Sequence, residues 1–292
     1  MNRYGKRCVL YPRVSTEMQV EACNLLLELG PKAKVMAGAT DIIPPMRDKA
    51  FTVDYLIDLK HIDGMRYIRY SDDVGLEIGA LTTLREIETS PIVKAHNPAV
   101  AHAAKVVAST QIRAKGTMVG NMCNASPSAD TPPILLAQNA KVLVQGPNKD
   151  RFIMMEDFFT GFKKTALEPG EIVTGLVIPP LKENEHCAYI KHAVRKAMDL
   201  AIVGVAVKLT MDGDVCADAK ITMGAVAINC IHAPNAEKAL IGKKLTDEVI
   251  TEASVAAMND CSPISDIRAS KEYRKDMIRV FTKRAIKQAL EA

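Results

Sequence analysis

The sequence contains no tryptophan and few other aromatic residues, with six phenylalanines and seven tyrosines in 292 residues. Proteins that bind single-stranded nucleic acids stack the bases on aromatic side chains, so this composition argues against that class. The net charge is only +4, and the sequence lacks the concentrated basic character of a nucleic-acid-binding protein. We therefore expect no nucleic-acid partner.

The sequence also lacks an apolar run long enough to span a membrane. Near the start, Pro12, Arg13 and Glu17 interrupt the apolar residues, which argues against the core of a signal peptide. The seven cysteines are widely spaced and form no Cys-x-x-Cys pair, so we expect free thiols and no metal site in this chain. These features predict a cytoplasmic protein without a membrane span.

The pattern of apolar and polar residues predicts an α+β protein. Helices are predicted at 17–29, 98–109, 247–259 and 271–290, with another that begins at 82–83. Strands are predicted at 34–37, 55–59, 74–81, 141–144, 172–178, 203–211 and 219–228. The polar segment that begins at Pro179 predicts a domain boundary. We expect one domain over 1–180, with lobes of about 1–60 and 61–180, and a C-terminal domain over 181–292 made of a small antiparallel sheet with helices.

Two segments have the composition of a site for a polar ligand. The first, VMAGATDI at 35–42, is a strand that enters a turn of very small residues, which lets backbone N–H groups approach a phosphate. Such turns are also common after ordinary strands. The second, at 116–133, combines glycines, hydroxyls, amides and a carboxylate, and shows neither strand alternation nor a helical face. It is either a structural loop with satisfied side chains or a ligand site, and its length favours the site.

Together the two segments resemble the FAD-binding loops of the medium subunits of molybdenum hydroxylases, a family that includes the xanthine, carbon monoxide and nicotinate dehydrogenases. The first family loop reads roughly Ala-Gly-Gly-Thr-Asp, and this chain has AGATD at 37–41. The second continues as Asn-Ala-Ser-Pro-Ala-Ala-Asp-Thr-Pro-Pro, and this chain has NASPSADTPP at 124–133. Further matches extend in order over nearly the whole chain: Tyr11-Pro12, IGALTTL at 78–84, QIR at 111–113, GEI at 170–172, RAS at 268–270 and EYR at 272–274.

The resemblance implies a two-lobed FAD-binding domain of the vanillyl-oxidase and CO-dehydrogenase flavoprotein type, with FAD between the lobes. It implies the following cofactor-binding residues: Val35, Met36, Ala37, Gly38, Ala39, Thr40, Asp41, Ile42, Val107, Ala108, Thr117, Gly120, Asn121, Asp130, Ile172, Val173 and Lys191. The resemblance implies that the first loop lies against the pyrophosphate, and that Thr117, Gly120 and Asn121 bind the same region from the second loop.

The other residues in this set have separate implied roles. The resemblance implies that Asp130 bonds hydroxyls of the dinucleotide, and that the residues at 107–108 and 172–173 lie close to the cofactor. It implies that Lys191 reaches the isoalloxazine edge, where a cation would stabilise negative charge on the reduced flavin.

The resemblance further implies an FAD-carrying electron-transfer subunit. A large partner subunit would bind molybdopterin, a small one would carry [2Fe–2S] clusters, and electrons would pass to NAD or another acceptor. No nucleophile or general base is expected in this chain.

One alternative is a self-contained flavin oxidoreductase of the vanillyl-oxidase type, although the region after residue 181 is short for a substrate-covering domain. A second is a binding or assembly module that has lost FAD. A family branch with an additional [4Fe–4S] cluster is excluded because the cysteines do not cluster.

The sequence departs from the family pattern at two positions. Ala39 replaces the second glycine of the first loop, and Val119 replaces the first glycine of the Gly-Gly pair in the second. We expect the alanine to be a mild change. Valine disfavours a positive φ and its branches would crowd a phosphate, so either the backbone at Val119 is extended with its side chain turned away or the loop lies differently.

Overall fold

The computed structural model describes residues 7–9 and 15–291. The strands are β1 (Arg7–Val9), β2 (Ala33–Met36), β3 (Tyr55–Asp58), β4 (Ile68–Ser71), β5 (Gly75–Gly79), β6 (Lys141–Gln145), β7 (Asp150–Met154), β8 (Phe159–Gly161), β9 (Lys164–Thr165), β10 (Ile172–Ile178), β11 (Glu185–His192), β12 (Val203–Asp212), β13 (Val215–Gly224) and β14 (Ile231–His232). The helices are α1 (Ser15–Leu29), α2 (Ile43–Arg47), α3 (Leu84–Thr89), α4 (Pro91–His96), α5 (Pro98–Lys105), α6 (Thr110–Arg113), α7 (Met118–Cys123), α8 (Pro132–Ala137), α9 (Met155–Phe158), α10 (Pro234–Leu240), α11 (Asp247–Asp260) and α12 (Lys271–Leu290).

The first sheet is parallel and has the strand order β1-β3-β2. Parallel strands need a crossover connection, and α1 connects β1 to β2, which lie on either side of β3. The apolar face of α1 contributes Met18, Ala22 and Cys23 to the first hydrophobic core. The first glycine-containing loop begins directly after Met36, where β2 ends opposite Asp58.

A five-stranded antiparallel sheet follows, in the order β4-β5-β10-β6-β7. Its central strand, β10, is buried almost throughout, and it pairs with β5 on one side and β6 on the other. The register of β10 against β6 shifts between Val173 and Gly175, directly after the two residues predicted to touch the cofactor, Ile172 and Val173. Helices α3 to α8 connect β5 to β6, and they carry the second predicted loop.

The C-terminal sheet is antiparallel, with the order β11-β12-β13-β14. On one face, Val203, Val205 and Val207 belong to a core shared with α10, α11 and α12. On the other face, Tyr189 and Ala206 join the core of the preceding part of the chain. This arrangement confirms the predicted small sheet with helices, and it shows that the sheet is buried on both sides.

Long periodic segments were predicted accurately, whereas two predictions around the second loop are wrong. The helices predicted at 17–29, 247–259 and 271–290 correspond to α1, α11 and α12. The helix predicted at 98–109 ends at Lys105, because cationic side chains bind the next carbonyl groups. The irregular loop predicted at 116–133 contains α7 and the beginning of α8.

Further sequence predictions concern thiols, membranes and the first residues. Six cysteines are free thiols: Cys23, Cys123, Cys187, Cys216, Cys230 and Cys261. Among the residues that the structure describes, no helix is long and apolar enough to cross a membrane. The Tyr11-Pro12 match lies outside the described residues.

Candidate functional site

The two predicted loops lie against each other. A β-carbon at Gly38 would collide with the carbonyl oxygen of Lys115 and lie 2.8 Å from the Cα atom of Gly116. A β-carbon at Gly116 would lie 3.4 Å from Oγ1 of Thr40. Glycine is therefore required at position 38 by the close approach of two backbones. The fold brings together segments that are almost eighty residues apart in the sequence.

The first loop presents a row of backbone donors. The carbonyl oxygen of Ala39 accepts hydrogen bonds from the N–H groups of Ile42 and Ile43, at 3.2 and 3.0 Å. The four preceding N–H groups, at 38–41, have no acceptor among the described residues. Ala39 has a φ of +64°, in the left-handed region. Successive free N–H groups in such a turn form a concave anion-binding surface.

The second segment begins with a capped helix. The Thr117 hydroxyl accepts a hydrogen bond from the N–H of Gly120 at 2.9 Å and so caps α7. The side-chain oxygen of Asn121 accepts from the hydroxyl of Thr131 at 2.8 Å and from its N–H at 3.3 Å. The NH₂ group of Asn121 has no acceptor in the described part of the chain, so it remains available as a donor to a ligand.

Val119 is part of α7, and its side chain belongs to the first core with 6% exposure. Of the two alternatives that the sequence left open, the extended backbone is therefore not observed, and Val119 does not have a positive φ. The strained backbone position is Ala39, so the expectation that alanine is the mild departure and valine the serious one is wrong. The spacing of Met118, Val119 and Met122 forms a short helical apolar face, which the abundance of small polar neighbours obscured.

The turn at 106–108 is held by two buried cations. The ammonium group of Lys191 donates to the carbonyl oxygen of Val106 at 3.0 Å, and the guanidinium group of Arg113 donates to that of Val107 at 2.9 Å. Arg113 is also paired with Glu88 at 3.0 Å. Ala108 follows with a φ of +44°. Bonds from these cations fix a turn that the sequence assigned to the end of a helix.

Asp130, Tyr189 and Lys191 form a buried polar cluster. Lys191 Nζ lies 2.8 Å from Oδ2 of Asp130, and the Tyr189 hydroxyl donates to Oδ1 at 3.2 Å. Burial raises the pKa of Asp130 to about 6, although the neighbouring lysine and tyrosine favour its charged form. Burial and the nearby carboxylate raise the pKa of Tyr189, so it remains a neutral donor. Both carboxylate oxygens of Asp130 thus already have protein donors.

The structure places the remaining predicted residues at different depths. Ile172 and Val173 are buried in β10, and Met36 and Val107 are also buried. The residues at 37–42 are partly or fully exposed, as a ligand-binding loop requires. Sequence reasoning assigned no role to Arg113 or Tyr189. The only local signal for Tyr189 was a large aromatic residue with a polar end two residues before Lys191 in a strand.

Residues 14–181 match the family described as FAD binding domain in molybdopterin dehydrogenase, and residues 188–289 match the CO dehydrogenase flavoprotein C-terminal domain. The chain is 32% identical over 283 residues to a putative xanthine dehydrogenase FAD-binding subunit of Escherichia coli K12, covering 97% of this chain and 96% of the relative. It is 33% identical over 269 residues to the carbon monoxide dehydrogenase medium chain of Hydrogenophaga pseudoflava, covering 92% and 93% of the two chains.

Solved structures show the same similarity. A carbon monoxide dehydrogenase from Hydrogenophaga pseudoflava that lacks the Mo-pyranopterin moiety has a TM-score of 0.91 and 32% identity, over 97% of this chain and 99% of that one. Quinoline 2-oxidoreductase from Pseudomonas putida 86 has a TM-score of 0.87 and 27% identity, over 97% and 99% of the two chains. The predicted fold class is confirmed.

Proposed function

We propose an electron-transfer role for this chain, which belongs to the FAD-binding medium subunits of the xanthine and carbon monoxide dehydrogenase family. FAD is its cofactor, and the chain is an oxidoreductase subunit of a molybdenum hydroxylase-type complex. In the proposal, a large partner subunit binds molybdopterin and a small one carries [2Fe–2S] clusters. Electrons from these clusters reach FAD and leave to NAD or another acceptor. A cytoplasmic location is part of the proposal, in keeping with the free thiols.

The observation that carries the proposal is the row of N–H groups at 38–41, which lie beside the second loop and have no acceptor within the described ranges 7–9 and 15–291. These donors fit the oxygens of a pyrophosphate, and the free NH₂ of Asn121 adds another donor. We propose that the first loop holds the pyrophosphate together with Thr117, Gly120 and Asn121 of the second loop. The buried residues at 107, 172 and 173 would supply apolar packing close to the flavin.

We propose that Asp130 bonds hydroxyls of the dinucleotide and that Lys191 reaches the isoalloxazine edge. Lys191 is paired with Asp130, so the net charge that this cluster presents depends on whether Asp130 holds a proton. When FAD is bound, it supplies the capacity to accept and release electrons. In the proposal, the first loop and the apolar residues at 107, 172 and 173 orient FAD, and the ammonium group of Lys191 lies at the isoalloxazine edge.

The comparisons favour a subunit over the self-contained alternative. The E. coli FAD-binding subunit and the Hydrogenophaga medium chain are each matched over more than nine-tenths of their length. The described residues after Pro180 form one sheet packed on both faces, by α10–α12 on one side and by the first core on the other. In that part of the chain the sheet has no free face to cover a substrate.

The experiment compares Gly38→Ala with the control Gly161→Ala, where a β-carbon would lie 3.8 Å from Cδ of Lys164, an ordinary contact. Gly38→Ala separates the two loops, so we expect the dissociation constant for FAD to rise at least about tenfold, whereas the control binds like the wild type. FAD binding is measured by absorption and fluorescence titration of the apoprotein. Equal affinities for the two variants would contradict the proposed cradle.

Electron transfer is tested separately, under anaerobic conditions. Addition of NADH to the FAD-loaded protein, isolated together with its partner subunits, should bleach the flavin absorption if NAD is the acceptor. Bleaching by an artificial electron donor but not by NADH would support a different acceptor. A flavin that no donor reduces would contradict the electron-transfer role itself.

A further inference from the structure

Arg274 lies in the first turn of α12 and has a side chain that is only 4% exposed. Its guanidinium group donates to the carbonyl oxygen of Ile202, to that of Ala225 at 3.2 Å and to Oδ1 of Asp266 at 2.8 Å. These three partners belong to three separate loops, at 193–202, 225–230 and 261–270. A single buried cation therefore joins three loops of the C-terminal domain.

Two of these loops touch the candidate site directly. The N–H of Ala225 donates to the carbonyl oxygen of Pro127 at 2.7 Å, within the NASPSADTPP segment. The N–H of Met198 donates to the carbonyl oxygen of Ala108 at 3.3 Å, at the turn beside the site. A single residue, Ala225, therefore separates Arg274 from the second loop. Through its bond to Ile202, Arg274 also holds the end of the loop at 193–202, which contacts Ala108.

Ala225 itself shows that this arrangement is held under strain. Its φ is +64°, a left-handed conformation that costs an alanine free energy. Both of its backbone polar groups are engaged, the N–H by Pro127 and the carbonyl by Arg274. A β-carbon at the adjacent Gly224 would lie 3.0 Å from Cγ of Pro133, so the two segments are also in close contact.

A buried guanidinium group costs free energy, because it must be desolvated and its donors must be paired. A hydrophobic side chain of similar length would fill the same volume without that cost. What arginine adds is a planar set of donors with fixed directions, which can hold several acceptors at once. Here the acceptors are loop carbonyls that lead to the site, which fits a positioning role better than simple packing.

We propose that Arg274 is a positioning residue of the FAD site, which acts through Ala225 on the second loop and through Ile202 on the loop that contacts Ala108. It does not touch the cofactor itself. This inference rests on the proposed function, because it requires that the second loop binds FAD. It assigns a role to the EYR segment at 272–274.

The test uses the full chain and three variants. Arg274→Met keeps the volume and removes the donors, and Arg274→Lys keeps the charge but not the planar fork. The control is Ile286→Ala, which removes a fully buried side chain from the same helix about three turns further on. This control destabilises the C-terminal domain without removing a bond to the three loops.

We measure the FAD dissociation constant, the visible circular dichroism of the bound flavin and the apoprotein melting temperature. Arg274→Met should raise the dissociation constant at least about tenfold and alter the flavin dichroism, whereas Ile286→Ala lowers the melting temperature and leaves both flavin readouts unchanged. Arg274→Lys should raise the FAD dissociation constant at least about threefold. If Arg274→Met does not fold, the result for Arg274→Lys tests the positioning role.

The outcomes separate this inference from the proposed function. If the wild-type chain does not bind FAD, the proposed function fails and Arg274 has nothing to position. If the wild type binds FAD and the Arg274 variants bind it within about twofold of wild type, only the positioning role is overturned. The same conclusion holds if Ile286→Ala weakens FAD binding as much as Arg274→Met does.

Discussion

Two residues of the candidate site, Ala39 and Asp130, are in unfavourable environments, one for its backbone and the other for its charge. Ala39 adopts a left-handed backbone that glycine would adopt without strain, and four N–H groups of the loop have no acceptor in the part of the chain that the structure describes. Asp130 is a buried carboxyl group with 5% exposure, held by Lys191 and Tyr189. Both are small local features with consequences that stability measurements can resolve.

Replacing Ala39 with glycine should stabilise the protein slightly. Relief of the left-handed strain is worth about 1–2 kcal/mol, and the greater freedom of the unfolded glycine chain offsets about 0.4–1 kcal/mol of it. We expect a net gain of about 0.5 kcal/mol in the free energy of unfolding, measured by urea denaturation. The control Ala37→Gly, at a position without positive φ, should lose about 0.5–1 kcal/mol. A loss of stability in Ala39→Gly would contradict the assigned strain.

Asp130 should give the protein a characteristic pH dependence. Its folded-state pKa of about 6 lies above its ordinary value of 3.8, so the folded state holds the proton more tightly than the unfolded state does. The contribution of Asp130 to stability is complete below about pH 4 and is lost as the pH rises through 6. The stability of the wild type relative to Asp130→Asn should fall by about 2–3 kcal/mol between pH 4 and 7, measured by urea denaturation. A relative stability that rises with pH would show that the folded pKa is lowered.

At the scale of elements, α7 connects the site with the core. Its N-terminal turn follows the loop segment that Gly38 contacts, and its buried face carries Met118, Val119 and Met122. Because Val119 points into the core, it does not crowd the segment where a phosphate would bind. This removes the structural reason for a module that has lost FAD.

The variant Val119→Ala should therefore affect stability and not FAD affinity. It leaves a cavity in the core, and we expect a loss of about 2 kcal/mol in the free energy of unfolding. The dissociation constant for FAD should stay within about twofold of wild type. Val255→Ala, on an exposed face of α11, serves as the control and should change neither quantity. Markedly tighter FAD binding by Val119→Ala would indicate that the valine does hinder the cofactor.

At the scale of the whole molecule, the segment at 124–133 joins two hydrophobic cores. The carbonyl oxygen of Pro127 is bonded by Ala225, that of Pro133 by Thr222 at 2.6 Å, and Asp130 by Lys191. All three donors belong to the C-terminal sheet or the loop that follows β13. The segment thus links the two hydrophobic cores and is also part of the candidate site.

Two buried threonines, Thr222 and Thr282, test how much a hydrogen bond between the two cores contributes to stability. Thr222→Val removes the donor to the Pro133 carbonyl and leaves a buried acceptor unsatisfied, so we expect a loss of about 1–3 kcal/mol. The Thr282 hydroxyl has no hydrogen-bond partner among the described residues, so Thr282→Val should be neutral or stabilising. Urea denaturation of both variants measures the difference. Equal losses of stability in the two variants would show that the hydrogen bond from Thr222 to Pro133 contributes nothing to the free energy of unfolding.

Much of the fold could be predicted from the sequence because it is encoded locally. The helices α1, α11 and α12 and the strands β10 and β12 have strong periodic patterns, and each occurs close to its predicted bounds. The short helix α7 and the turn at 106–108 were missed. In both, buried side chains or cations from distant segments override the local preference.

The sequence by itself determined the family and the cofactor, because runs such as NASPSADTPP at 124–133 are specific even without coordinates. Only the tertiary structure decided that Gly38 meets Lys115, that Lys191 pairs with Asp130 and that Arg274 joins three loops. Gly38 and Lys115, for example, are 77 residues apart in the sequence. Periodicity and composition describe each segment alone, whereas pairing, burial and the pKa of a buried carboxyl group depend on which segments the folded core brings together.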